Sequence, residues 1–204
     1  MTHALMDQFF EAYARYETET LGQYSTWSYS LSTGIEKDFS TLERQFHTVF
    51  PDSHKQFYER YNFLEIEIPL LRLTGSDPHL SNLATEYNWD LPKRLTDNQL
   101  YVFGDGGNDI GPLVFDGRIP KSGNEFPIRM YDHEFTDGAP EALTEILFSS
   151  FTKMIECLLH YLEEGPKTGY NAAIRQFLDI DPEGAGSEGR EFWSPWFDEP
   201  DESE

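Results

Sequence analysis

With 37 Asp and Glu against 15 Lys and Arg, a net charge of -22 over 204 residues, the chain repels polyanions, which argues against direct binding of nucleic acid or an anionic membrane. Its 38% hydrophobic and 15% aromatic content is too rich for a disordered polymer, and the length suits one globular domain with extensions. Cys157 is the single cysteine, so no internal disulfide can form, and no run approaches the roughly 18 apolar residues of a membrane span. An acid excess serves solubility or a high-salt habitat; as a binding feature, its complement is a basic partner.

The first 21 residues carry acids and polar residues throughout and lack the apolar core of roughly 7 to 15 residues found in a secretory signal, so a cytoplasmic location is expected. Met6, Phe9, Phe10, Tyr13 and Tyr16 fall at helical spacing and predict an amphipathic helix over 5–21. The segment "GQYSTWSYSLSTG" (22–34) reads as a loop tethered by its aromatic residues. Ile35, Phe39, Leu42, Phe46 and Val49 resume a helical stripe, Pro51 breaks it, and "PDSHKQFYERYN" opens a second helix burying Phe57, Tyr58 and Tyr61.

In "LEIEIPLLRL" the period changes to two, with Leu64, Ile66 and Ile68 on one face, Glu65 and Glu67 on the wet face, and Pro69 at a bulge or edge. Residues 75–92 read mostly as loop, with one helical turn around Leu80 to Tyr87. "QLYVFG" and "PLVFDG" read as strands, as does "EFPIRMYDHEF", with Ile128, Met130 and Asp132 opposed to Arg129, Tyr131 and His133. A helical stripe then runs from Leu143 through Phe151, Met154 and Leu158 to Leu162, ended by Gly165 and Pro166, and a short helix spans Gly169 to Leu178. These elements divide into an extension (1–34), a domain (35–180) and an acidic, aromatic tail (181–204).

The glycine and acid cluster "GDGGND" (104–109) suggests a phosphate or metal site, but no Gly-Lys-Ser/Thr follows and what comes next is a strand rather than a helix. Counted as a calcium loop from Asp105, the sixth position is Ile110 where glycine is needed and the twelfth is Asp116 where glutamate is needed. It reads as a turn between strands, with glycines at positive φ and Asp105, Asn108 and Asp109 projecting as partner contacts. His133 between Asp132 and Glu134 does not form an acid and base pair, because neighbours on a strand face opposite ways. Cys157 and His160 share a helix dominated by apolar residues, where a lone cysteine acts as a small buried hydrophobe. In the tail, "FWSPWF" (192–197) concentrates rings that dock on the parent domain or a partner. Neither a cofactor nor a metal is expected.

The order of these pieces, "IEKDFSTLERQFHTVFPDSHKQFYERYN", "IPLLRL", "YVFGDGGNDIGPLVFDG" and "FPIRMYDHEF" followed by a long helix, resembles the SUKH superfamily, the Smi/Knr-type regulators of cell-wall synthesis, over about 35–162. Phe63 stands where the family often has glycine, and the 181–204 tail lies outside the usual domain. The resemblance implies an α+β domain with a twisted, largely antiparallel sheet flanked by helices, and a protein-binding role without catalysis. Bacterial members resemble immunity proteins that neutralise a cognate toxin, often a nuclease; fungal members resemble regulators of wall synthesis.

The charge fits the first role, since a nuclease presents basic residues that an acidic inhibitor can cover. Glu65, Glu67, Asp105, Asn108, Asp109, Asp132 and Glu134 are the expected contacts, with Trp193 and Trp196 as anchors from the tail. A regulatory scaffold of wall synthesis or signalling is the alternative, and an enzyme would require a convergent cleft that the sequence does not display.

Overall fold

The computed structural model describes residues 1–25, 27–33, 36–106 and 111–197. Its helices are α1 (His3–Leu21), α2 (Phe39–Phe46), α3 (Asp52–Arg60), α4 (Ser81–Glu86), α5 (Asp90–Asp97), α6 (Phe151–Thr168), α7 (Tyr170–Arg175), α8 (Phe177–Ile180) and α9 (Arg190–Trp193). Its strands are β1 (Tyr29–Leu31), β2 (Tyr61–Phe63), β3 (Ile66–Ile68), β4 (Leu71–Leu73), β5 (Leu100–Gly106), β6 (Gly111–Asp116) and β7 (Ile128–Met130). The fold is α+β, the class that the resemblance implies. Among the described residues no helix is long and apolar enough to cross a membrane.

The chain forms two compact units, Ser28–Thr144 and the pair of segments Met1–Trp27 and Glu145–Glu204. The sequence boundaries after 34 and 180 differ from this division. The reason is that α1 packs on α6, so the apolar stripes at opposite ends of the chain bury each other.

In the sheet unit, β3, β4, β5, β6 and β7 lie in that order, each antiparallel to the next, and β1 pairs antiparallel with β2 in a separate two-stranded sheet. "LEIEIPLLRL" is a hairpin rather than one strand. Pro69 and Leu70 lie in the turn closing the Ile68 and Leu71 pair, a place suited to the fixed φ of proline, and the irregularity falls instead between Val102 and Gly104. Strand β1 lies in the segment expected as loop, because its pairing with Tyr61, Asn62 and Phe63 is non-local and leaves no periodic trace in three residues. Helix α5 was also absent from the sequence reading.

Helix α3 lies beneath the sheet's aromatic core and is held at both ends by distant residues. Pro51 at its N-cap supplies no side-chain acceptor; Glu125 does, accepting from Ser53 N at 3.0 Å and Ser53 Oγ at 2.7 Å. At the other end the ammonium of Lys37 donates to the carbonyls of Tyr58 and Tyr61 at 2.5 and 2.6 Å and to Ser76 Oγ at 2.6 Å. A carboxylate at the start and a cation at the end complement the helix dipole and satisfy orphan backbone groups.

In the helical unit, α1 buries Met6, Phe9, Phe10, Ala12 and Tyr13, while Trp27 packs edge-on against Tyr13 at 4.6 Å. Helix α6 starts later than its apolar stripe, at Phe151, because Ser150 caps it by accepting from Lys153 N at 3.2 Å. It runs through Pro166 to Thr168, since a proline in the last turn sacrifices little of the hydrogen-bond ladder.

The tail from Asp181 to Phe197 is ordered against this unit. Asp181 accepts from Ser149 N at 2.6 Å and Gly184 N at 3.2 Å, and a Cβ on Gly184 would collide with Ser149 N. Trp193 fills the gap between Phe148 and Phe177, with ring centroids at 5.3 and 5.2 Å, and donates from Nε1 to Leu147 O at 3.2 Å. Replacing Trp193 with alanine is expected to cost about 3–5 kcal/mol, measured by urea unfolding with far-ultraviolet circular dichroism; a loss below about 1 kcal/mol would show the tail to be dispensable.

Candidate functional site

Strand register brings Glu67, Arg72, Asp105 and Pro112 into one row across β3, β4, β5 and β6. Residues opposite one another share a face of the sheet. Three of the predicted contacts gather here around one guanidinium: Glu67 and Asp105 flank Arg72 in register, and Glu65 Oε2 lies 3.6 Å from Arg72 Nη1. Glu86, at the end of α4 and not foreseen from sequence, accepts from Thr74 Oγ1 at 3.3 Å. Its carboxyl is pushed up, chiefly by burial and further by Asp105 and Glu65, against the opposing effects of Thr74 and Arg72. Four carboxylates thus surround a single positive group, and the half-exposed pair of Glu65 with Arg72 contributes at most about 1 kcal/mol to stability. Such a face matters more for what approaches it than for holding the fold.

Asp132 and Glu134 sit beside this row, in a turn rather than on a strand. Strand β7 ends at Met130, Tyr131 N donates to Pro112 O at 3.0 Å, and Asp132 Oδ1 accepts from Glu134 N at 2.9 Å. That local bond bends the chain, so the strand alternation expected for Asp132 and His133 does not apply, and His133 and Glu134 are exposed. Gly111 has φ 129°, and a Cβ there would collide with Tyr131 O; the positive φ expected of the 104–109 glycines is not found at Gly104 or Gly106, which continue β5. Asn108 and Asp109 lie outside the described residues.

Of the two tryptophans, Trp193 is 1% exposed and serves the helical unit's own core rather than a partner, while Trp196 is half-buried.

Other reactive-looking residues are structural. Cys157 is buried, and its thiol is pushed above the usual range by burial and then by Asp181 and Glu156, the opposite of an activated nucleophile. Among the described residues no group of three or more His, Cys, Asp or Glu could hold a metal ion. Asp116, fully buried, binds Arg118 through both oxygens at 2.8 and 2.7 Å and lies 3.2 Å from Arg129 Nε, a charge cluster that ties β6 to β7.

Two buried titratable groups escaped the sequence reading. Lys37 stands in the exposed-looking run "EKD", yet burial pulls its ammonium down to about 8, against Asp77 and Glu59. His54 lies among Phe50, Tyr58, Phe103 and Phe115, with centroids 5.2, 4.2, 5.9 and 5.3 Å away. Burial, then Lys55, holds it well below the ordinary histidine value of 6.5.

Compared with known proteins, the chain matches no family model and no curated protein.

The sign of the His54 effect follows from linkage. The native state keeps this ring neutral while the unfolded chain takes up a proton below about 6.5, so stability falls as pH drops through that value. Native stability is expected to lose up to about 1.4 kcal/mol per pH unit from this residue, and His54→Phe to remove that part of the slope. Urea melts of both proteins between about pH 5 and about pH 8 measure it; parallel profiles would refute the assignment.

Proposed function

We propose that the protein is a SUKH-type binding module without catalytic activity, an immunity protein that neutralises a basic, nuclease-type toxin by covering its substrate groove. The observation that carries this reading is the acidic face built by Glu65, Glu67, Glu86 and Asp105 around Arg72, continued at its edge by Asp132 and Glu134. A nuclease groove must display cations to hold phosphates, and a rigid carboxylate-rich sheet face complements it without paying to order long loops. The net charge of -22 adds long-range steering, which raises association rates and makes them sensitive to salt.

The test begins with capture by the tagged full chain from its native lysate, eluted in a rising salt gradient. One dominant basic partner with nuclease activity, inhibited stoichiometrically by the purified protein, is the expected result. E65Q/E67Q/D105N is expected to slow association with that partner about tenfold at low salt while leaving the melting temperature within a few degrees. Several neutral partners captured without salt dependence would replace this reading by a scaffold, and a bound nuclease left fully active would refute inhibition.

A further inference from the structure

A second surface of the sheet unit lies at β1. All three of its residues are exposed, and Tyr29 and Leu31, which share one face, are 37% and 53% accessible, an apolar pair on a chain otherwise dominated by acids. Ser32 N donates to Arg60 O at 2.8 Å and Leu64 N to Ser28 O at 3.3 Å. Antiparallel pairing alternates, so the even-numbered residues of β1 face β2, and the N–H and C=O of Leu31 point to the outer edge. Among the described residues no strand lies beyond β1. Exposed edges are normally blunted by lysine, proline or a bulge; the sequence Tyr-Ser-Leu carries none of these.

The Ser32 end of β1 leads to an open depression of about 550 Å³ lined by Glu36, Lys37, Asp38, Glu43, Lys55 and Glu59. The two lysines do not neutralise it evenly. Lys37 turns inward onto the backbone of α3 and its ammonium is engaged there, while Lys55 Nζ pairs with Glu43 at 2.8 Å. Asp38 is committed to capping α2 through Thr41 N at 2.9 Å. Glu36 and Glu59 make no ion pair among the described residues, and the carboxyl of Glu59 is pushed up by burial and by Glu36, against Lys55 and Lys37.

We propose that β1 is an acceptor edge for an extended segment of a basic partner, which adds as an outer strand, lays apolar side chains over Tyr29 and Leu31, and sets a lysine or arginine beside Glu36 and Glu59. The backbone supplies affinity and the two flanking features supply selection, apolar along the strand and acidic at its end. The charge of the occupant rests on the basic-partner reading above; the strand addition does not.

The test titrates the full chain with a short, end-capped peptide of alternating valine and arginine, followed by calorimetry and amide hydrogen exchange. Slowed exchange of the Leu31 amide at saturation is expected, with binding lost in Leu31→Pro, which removes the outward N–H and leaves the bonds to β2. E36Q/E59Q is expected to bind about tenfold more weakly. Should Leu31→Pro fail to fold by circular dichroism, exchange at Leu31 in the unaltered chain decides alone.

The proposal is overturned by no binding at about millimolar peptide, by unslowed exchange at Leu31 in the saturated chain, or by undiminished binding in Leu31→Pro. Equal affinity for a peptide with glutamate in place of arginine, or a Leu31 amide already covered in a concentration-dependent dimer, overturns it as well. Because the probe is synthetic, its failure leaves the basic-partner reading to the salt-gradient capture, and failure of that capture leaves strand addition standing.

Discussion

The sheet unit depends on how α3 is closed at its two ends. The Lys37 ammonium satisfies the last carbonyls and Glu125 the first N–H groups, so a helix of nine residues, too short to persist alone in water, is pinned by chain segments on either side of it in sequence. Both contacts are charge-assisted and aligned with the helix dipole. From this fixed rod His54 and Tyr58 project into the aromatic core, and Tyr58 donates its hydroxyl to Thr74 O at 2.5 Å, tying the helix to the segment that follows β4. Phe103 and Phe115, stacked at 4.0 Å, complete the layer from β5 and β6. The register of the acidic row on the opposite, solvent-facing side is therefore held by packing within the sheet unit rather than by its own half-exposed charges.

Periodicity carried most of the fold. The amphipathic stripe of α1, the strands flanking the glycine-rich hairpin, and the alternation of Ile66 and Ile68 with Glu67 all reflect burial on one face, which a single sequence displays directly. What it concealed were features fixed by distant partners. Three residues of β1 pair with β2, α1 finds its apolar counterpart in α6, and Lys37 turns inward because α3 ends beside it. Caps acted in the same way: Ser150 delays α6 past an apolar stripe that begins earlier, and the Asx bond of Asp132 converts a strand continuation into a turn.

The acidic face was only half legible. Glu65, Glu67 and Asp105 could be named from pattern, but their convergence on Arg72 is a matter of strand register, and Glu86 joins them from a helix that sequence alone marked as little more than a turn. The tail, whose rings are expected to dock on the parent domain or a partner, buries its largest ring, Trp193, and its Gly184 lies close against Ser149 N and the Asp181 carboxylate. Small residues serve close approach as well as flexibility.

The pairing of α1 with α6 has a consequence for synthesis. On the ribosome α1 emerges with Met6, Phe9, Phe10 and Tyr13 already in place, but its counterpart emerges only after the whole sheet unit has left the exit tunnel. The continuous segment Ser28–Thr144 can close as soon as it is complete, while α1 waits with an apolar face in water. For that interval the nascent chain presents an aromatic helix of the kind that chaperones bind, and the emergence of α6 retires it.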